Sequence, residues 1–295
     1  MMMKYNRPGY FQTSEGMRIF YTTNFPQGEI GDETAVIFNY GLVCNNAHWS
    51  HQIPYFDQIG KKILLHDYRF HYGSTHSGPI SECSFRGMVK DLRELLDDQG
   101  IKKAVLIGHS MGVNVSLEFA YRHPEIVKGL ILISGTVIPP HDVMFDSNIV
   151  EVLAPSIEWL TKRFPKQFEA IWKTSYLNPI AREVVRRGGF NTDRVPDEFV
   201  QVYMKRIGEL PPEIFFQLMN EMKDHDIINH LEGIHCPSLI IGGDHDQIIP
   251  NYVQKILHNH LPNSEFYIVK DGSHVPQADF PETLNRRIST FIEGL

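Results

Sequence analysis

The feature that most restricts the fold of this chain is the alternation of short, wholly apolar runs with longer stretches of helical spacing. Ala104-Val105-Leu106-Ile107 and Leu130-Ile131-Leu132-Ile133 contain no polar position, the pattern of a strand covered on both faces. Runs of this kind separated by amphipathic helices describe a mostly parallel sheet with helices on either side. The segments 17–23, 34–39, 61–67, 102–108, 128–134, 237–243 and 265–270 read as strands. Between them, Phe85, Met88, Val89, Leu92, Leu95 and Leu96 recur at helical spacing from Ser84 to Asp98, with Gly100 as a stop. The segments 111–122 and 284–292 read in the same way.

The alternation breaks between Ile138 and Asp224, where helical patterns run without a convincing strand and Pro139-Pro140, Gly188-Gly189 and Pro211-Pro212 punctuate the chain. The expected organisation is an α/β core formed by 1–137 and 225–295, with 138–224 inserted as a helical cap. That insertion carries eleven aromatics, from Phe145 and Trp159 to Phe215 and Phe216, expected to form mostly the core of the cap itself.

At 295 residues the chain is long enough to bury a substantial core, and 42% hydrophobic with 21% charged residues is an ordinary globular composition. The net charge of -7 supplies no basic face for nucleic acid or an anionic membrane. A small-molecule partner fits this balance better, and the oligomeric state stays open. Cys44, Cys83 and Cys236 are odd in number and widely spaced, which suits buried thiols rather than disulfides or a zinc site. The first residues, Met1 to Pro8, lack the apolar run of a signal peptide, and no stretch has the length of a membrane span; a cytoplasmic location is the expectation. None of the fifteen histidines falls in an HExxH or comparable ligand set, so no metal is expected. Asn114-Val115-Ser116 has the form of a glycosylation triplet, but its helical position argues for coincidence.

Chemistry enters at Gly108-His109-Ser110-Met111-Gly112, which stands between an apolar strand and a helix. A serine on a tight strand-to-helix turn has its oxygen exposed, and flanking glycines avoid the side-chain clashes the turn would otherwise create. With this motif the chain resembles the α/β-hydrolase superfamily over nearly its whole length. That resemblance implies an eight-stranded, mostly parallel sheet flanked by helices, and a catalytic set in the order Ser, Asp, His. Asp246 lies four residues before Pro250 in the loop after the run Leu239-Ile240-Ile241, and His274 follows the next strand in Asp271-Gly272-Ser273-His274. The resemblance therefore implies Ser110 as nucleophile, His274 as base and Asp246 as the acid that orients it. The backbone amides of Met111 and of Leu42, in Asn39-Tyr40-Gly41-Leu42, are the implied oxyanion donors. The competing readings are a loop histidine at 274 and an Asp246 that only caps the helix near Pro250. Both lose weight because the three motifs occur in the right order and contexts.

Two departures from the family pattern bear on the loops around the site. Tyr40 stands where many relatives have histidine, which questions the supporting hydrogen bonds of that loop. In Asp67-Tyr68-Arg69-Phe70-His71-Tyr72-Gly73-Ser74, Phe70 and Tyr72 occupy positions where glycine is usual, which questions the geometry of the loop.

The activity expected is hydrolysis of small to medium carboxylic esters through an acyl-enzyme on Ser110, with no cofactor. Carbon-carbon hydrolysis of the meta-cleavage-product type is the alternative on a similar capped scaffold, and a non-catalytic ligand-binding receptor is the alternative from another class. A receptor does not need Ser, Asp and His together.

Overall fold

The computed structural model describes residues 6–75, 77–139, 156, 159–161 and 163–295. Eight strands form one sheet in the order β1-β2-β4-β3-β5-β6-β7-β8. They are β1 (Arg7–Gln12), β2 (Arg18–Thr23), β3 (Ala35–Asn39), β4 (Lys62–His66), β5 (Ala104–His109), β6 (Val127–Ile133), β7 (Ser238–Gly243) and β8 (Ser264–Val269). β3 to β8 run parallel; β2 is antiparallel to β4, and β1 to β2. β1 has no counterpart among the strands read from the sequence. It is an edge strand that leaves most of its side chains in solvent, so Arg7-Pro8-Gly9-Tyr10-Phe11-Gln12 carries no buried apolar signal.

The two-faced burial implied by the apolar runs is visible residue by residue. Ala35, Ile37, Ala104, Leu106, Leu130 and Leu132 face one core, which includes Leu92 and Leu96 of α2 (Phe85–Asp98) and Val113 and Leu117 of α3 (Met111–Arg122). Their neighbours Val36, Phe38, Val105, Ile107, Ile131 and Ile133 face the other core, with Ile53 and Phe56 of α1 (Gln52–Gln58). The period of two is present in the backbone but hidden in the sequence, because both faces are dry. α2 begins where Ser84 accepts the Gly87 N–H (3.1 Å), and Gly100 closes it at φ 72°.

Between β6 and β7 the described residues contain helices and no strand: α4 (Pro165–Thr174), α5 (Pro179–Gly189), α6 (Asp197–Gly208) and α7 (Pro212–Asp224), before a 3-10 turn at Ile227–Gly233. α8 (Asn251–His260), the short α9 (Pro276–Asp279) and α10 (Pro281–Glu293) complete the chain. The start of the segment expected to be an insertion, including Phe145, lies outside the described residues. Of its aromatics, Phe190, Phe199 and Tyr203 pack with Val200, Met204 and the core residues Val275 and Ala278. Trp159 and Phe164 are exposed instead, so the aromatics do not all form an interior. Among the described residues no helix is long and apolar enough to cross a membrane.

Candidate active site

Ser110 sits between the end of β5 and the first turn of α3 with φ 54° and ψ −121°, a region that costs a non-glycine residue about 1–3 kcal/mol. Its neighbours explain why the turn needs glycine. A Cβ on Gly112 would lie 2.1 Å from the Asn39 carbonyl oxygen, and one on Gly108 would lie 2.5 Å from the Gly112 carbonyl oxygen. Neither glycine takes a positive φ; what they supply is room for α3 to approach β3 and β5.

The three residues singled out from sequence meet here. The His274 Nε2 lies 3.2 Å from the Ser110 Oγ, and its Nδ1 lies 3.0 and 3.1 Å from the two Asp246 carboxylate oxygens. Asp246 and His274 are buried. Asp246 Oδ1 also accepts the N–H groups of Ile248 (3.0 Å) and Ile249 (2.9 Å), so the carboxylate serves its own loop as well as the imidazole. Asp244 differs: its side chain is exposed, and it is its main-chain N–H that bonds, to the Val269 carbonyl at 3.1 Å. The acid and histidine loops are pressed together through glycine, since a Cβ on Gly243 would stand 2.2 Å from the Gly272 carbonyl oxygen.

Several groups that sequence reasoning missed hold this arrangement. Asp279 is buried, and its carboxylate accepts the Ser273 N–H at 2.6 Å. Burial pushes its carboxyl above the ordinary aspartate range. The His109 Nε2 donates to the His274 carbonyl at 2.8 Å, and the His48 ring lies 4.4 Å from the His109 ring. The Gln277 side chain meets the His48 Nε2. Burial holds His48 down at about 3 and His109 well below the usual histidine range, with the neighbouring histidines acting in the same direction. Both rings are therefore held neutral beside the His274 imidazole. Their only sequence signal is that His109 lies inside the serine motif.

The amide of Met111 is in the first turn of α3, where helix N–H groups have no intrahelical acceptor. Gly41 abuts the serine so closely that a Cβ there would stand 3.1 Å from the Ser110 Cβ, which brings the Leu42 loop alongside. The loops that depart from the family pattern keep their shape by other means. Tyr40 is buried and accepts two hydrogen bonds from Tyr68, its hydroxyl from the Tyr68 N–H and its carbonyl from the Tyr68 hydroxyl. Phe70 and Tyr72 take φ 63° and 40°, so bulky residues adopt the left-handed conformations glycine would take at about 1–2 kcal/mol less cost. Arg69 anchors that loop with a two-point contact to Asp91 (2.7 Å each), both residues buried.

A hollow of about 530 Å³ lined by Thr34, Lys62, Lys103 and Lys128 opens at the amino-terminal ends of the parallel strands. That is the end opposite Ser110 and opposite where such sheets bind ligands. A second cavity of about 350 Å³ lies between the Cys44 to His51 segment and α6. Among the described residues, Asp244, His245 and Asp271 bring potential metal ligand atoms within 4.8 Å of one another, all three exposed. The cysteines are free, Cys44 and Cys83 buried and Cys236 partly so. Asn114 and Ser116 of the glycosylation-like triplet are buried in α3.

A sheet of this order with a serine at a strained turn after its central strand defines the α/β-hydrolase class. A family model described as alpha/beta hydrolase fold matches residues 34–281, and the chain belongs to that family. The mouse protein ABHD8 is 23% identical over 266 residues, which cover 88% of this chain but 55% of that protein; the chain thus spans about half the length of this relative. The uncharacterized hydrolase YugF of Bacillus subtilis (strain 168) is 27% identical over 233 residues, covering 75% of this chain and 77% of that one. In three dimensions the chain is similar to a thermophilic esterase from Thermogutta terrifontis, with a TM-score of 0.75, 21% identity and 98% of each chain covered.

Proposed function

We propose that the protein is a serine hydrolase that cleaves small to medium carboxylic esters through an acyl-enzyme on Ser110. The observation that carries this reading is the unbroken relay from the Ser110 Oγ through the His274 imidazole to the Asp246 carboxylate. In the first half-reaction His274 Nε2 takes the hydroxyl proton as Ser110 Oγ bonds to the ester carbonyl carbon. The amides of Leu42 and Met111 stabilise the oxyanion, and Asp246 stabilises the imidazolium. The imidazolium then gives its proton to the leaving alkoxide. In the second half-reaction His274 activates a water that attacks the acyl carbon, and Ser110 leaves with the proton returned.

The helices between β6 and β7 act in this reading as a cap, since they leave the sheet at the edge where α/β folds place their ligands. Acyl groups of modest length are the expected substrates. A fluorophosphonate probe should label Ser110 alone, with labelling abolished in Ser110→Ala and strongly reduced in His274→Ala. Turnover of nitrophenyl esters should decline as the acyl chain grows long. Wild-type turnover retained by Ser110→Ala would end the nucleophile assignment, and rates that hold or rise out to palmitoyl would end the size assignment.

A further inference from the structure

Exposed apolar side chains are concentrated on the helices between β6 and β7. In α4, α5 and the 3-10 turn Ser175–Leu177 between them, Phe164, Ile171, Leu177, Ile180 and Val184 are between 40% and 74% exposed. The packed sides of the two helices are occupied by other residues. The rings of Phe168 and Trp172 on α4 stand 6.4 and 5.5 Å from those of Phe216 and Phe215. Ala181 and Val185 on α5 pack on the cluster that holds Phe190, Val200 and Val275. Ile180 and Val184, one helical turn apart, form the next stripe round α5 and remain in solvent. Large apolar groups gathered in this way mark a surface that meets a partner.

The charge among them has one predominant sign. From Arg163 to Gly189 there are six basic residues, Arg163, Lys166, Lys173, Arg182, Arg186 and Arg187, and two acidic ones, Glu169 and Glu183, in a chain whose net charge is -7. Glu169 pairs with Lys173 at 2.6 Å, and Glu183 is shared by Arg186 and Arg187. The two carboxylates therefore leave a surplus of cations. The negative total is an average, and it conceals a face that is both basic and apolar.

Charge decides what can cover such a face. A second copy meeting it across a two-fold axis would set the same basic patch against itself. A surface with anions at its edge and hydrocarbon beneath satisfies both sets of side chains, because the apolar groups enter the hydrocarbon while lysine and arginine heads stay among the headgroups.

We propose that α4 and α5 form a docking face for an anionic phospholipid surface. The inner stripe of α5 packs on Val275, next in sequence to His274, so docking takes place through helices that themselves rest on the His274 loop.

The test is co-sedimentation of the full chain with vesicles of phosphatidylcholine alone and of phosphatidylcholine mixed with phosphatidylserine. Binding should be at least about tenfold stronger to the anionic vesicles at low salt, and should weaken as salt rises. The double variant Ile180→Ser, Val184→Ser should lower it about tenfold. Arg163→Gln and Lys166→Gln should each lower it about fivefold. Melting temperatures should stay unchanged, since all four side chains are exposed. Trp159 supplies a second readout. It is 60% exposed, with its ring 6.0 Å from that of Phe164, whereas Trp49 is buried and the Trp172 Nε1 donates to the Leu210 carbonyl. Tryptophan emission should shift to the blue on anionic vesicles only, and Trp159→Phe should remove the shift while sedimentation persists. Equal binding to both vesicle types, anionic binding untouched by the double variant, or no binding to either would overturn the proposal. In the last case, self-association abolished by the double variant would give the face to a second copy, and binding of polyglutamate abolished by it would give the face to an acidic protein. Ser110→Ala should dock as the wild type does, so docking by a protein that cleaves no ester would fail the hydrolase reading and leave the lipid face standing.

Discussion

The Tyr40 hydroxyl accepts the backbone N–H of Tyr68 at 3.0 Å, while the Tyr68 hydroxyl donates to the Tyr40 carbonyl at 3.0 Å. The rings stand 4.4 Å apart and both are buried. This reciprocal pair joins the loop after β3, which leads to Leu42, to the loop after β4. It supplies the support that the missing histidine leaves in question, and does so with two dry hydrogen bonds.

Removing either hydroxyl leaves a buried main-chain group without its partner, a loss of about 1–3 kcal/mol. Tyr68→Phe and Tyr40→Phe should each lower unfolding stability by that amount. Turnover should fall with them because the Leu42 loop loses its brace. The double variant should lose less than the sum, since the loops separate once the first bond is gone. Denaturant melts of the three variants check this, and strict additivity would mean that the two bonds act independently.

Asp246 and Asp244 should separate cleanly. Asp246→Asn should keep the fold yet reduce ester turnover by roughly a thousandfold or more, as loss of the orienting acid does in serine proteases. Asp244→Asn should be mild, since its carboxylate is exposed. The comparison needs variants with matched melting curves on one ester near pH 8. A larger loss at Asp244 would reverse the assignment.

Arg69 and Asp91 form a buried two-point ion pair. Removing one partner of such a pair strands the other charge, at a cost of about 3–5 kcal/mol. Asp91→Ala should fall at the lower end of that range because Arg69 Nη2 also reaches Glu15 at 3.0 Å. Calorimetry or urea melts measure it, and a loss below about 1 kcal/mol would show the guanidinium relaxing into solvent.

Acid should destabilise the protein before its carboxylates titrate. Burial holds His48 at about 3, His66 at about 4 and His109 well below the usual range. The unfolded chain takes up protons at these histidines near pH 6.5, while the folded chain does not. Their contribution is therefore complete above about pH 6.5 and is lost as pH falls towards the folded values. Each contributes a slope of up to about 1.4 kcal/mol per pH unit. Unfolding free energies measured from pH 7.5 to pH 5 should show this decline, and His66→Gln should flatten it by about one proton. A flat profile over that interval would mean that these rings are protonated in the folded state.

Much of the site was legible because each part announces itself locally. Ser110 stands between an apolar run and a helix, and Asp246 and His274 each follow one strand in the expected order. The seven strands read from sequence are present with ends shifted by up to a few residues, since apolar runs mark the buried middle of a strand and not its last hydrogen bond. β1 escaped because an exposed edge strand needs no apolar pattern.

What sequence determined by itself was the set of segments that must be buried on both faces and the order in which the reactive residue types follow them. Those properties depend on neighbours within a few positions along the chain. Tertiary structure alone decided which side chains would support them: Tyr68 under Tyr40, Asp91 under Arg69, Asp279 behind Ser273, and Tyr72 between Val43 and Arg206. Hydrogen bonds such as these form between loops that are distant along the chain, and their partners are fixed by the register of the sheet and the seat of the helices between β6 and β7. A tyrosine in place of a glycine reads as a defect until that register brings an acceptor within reach of its hydroxyl.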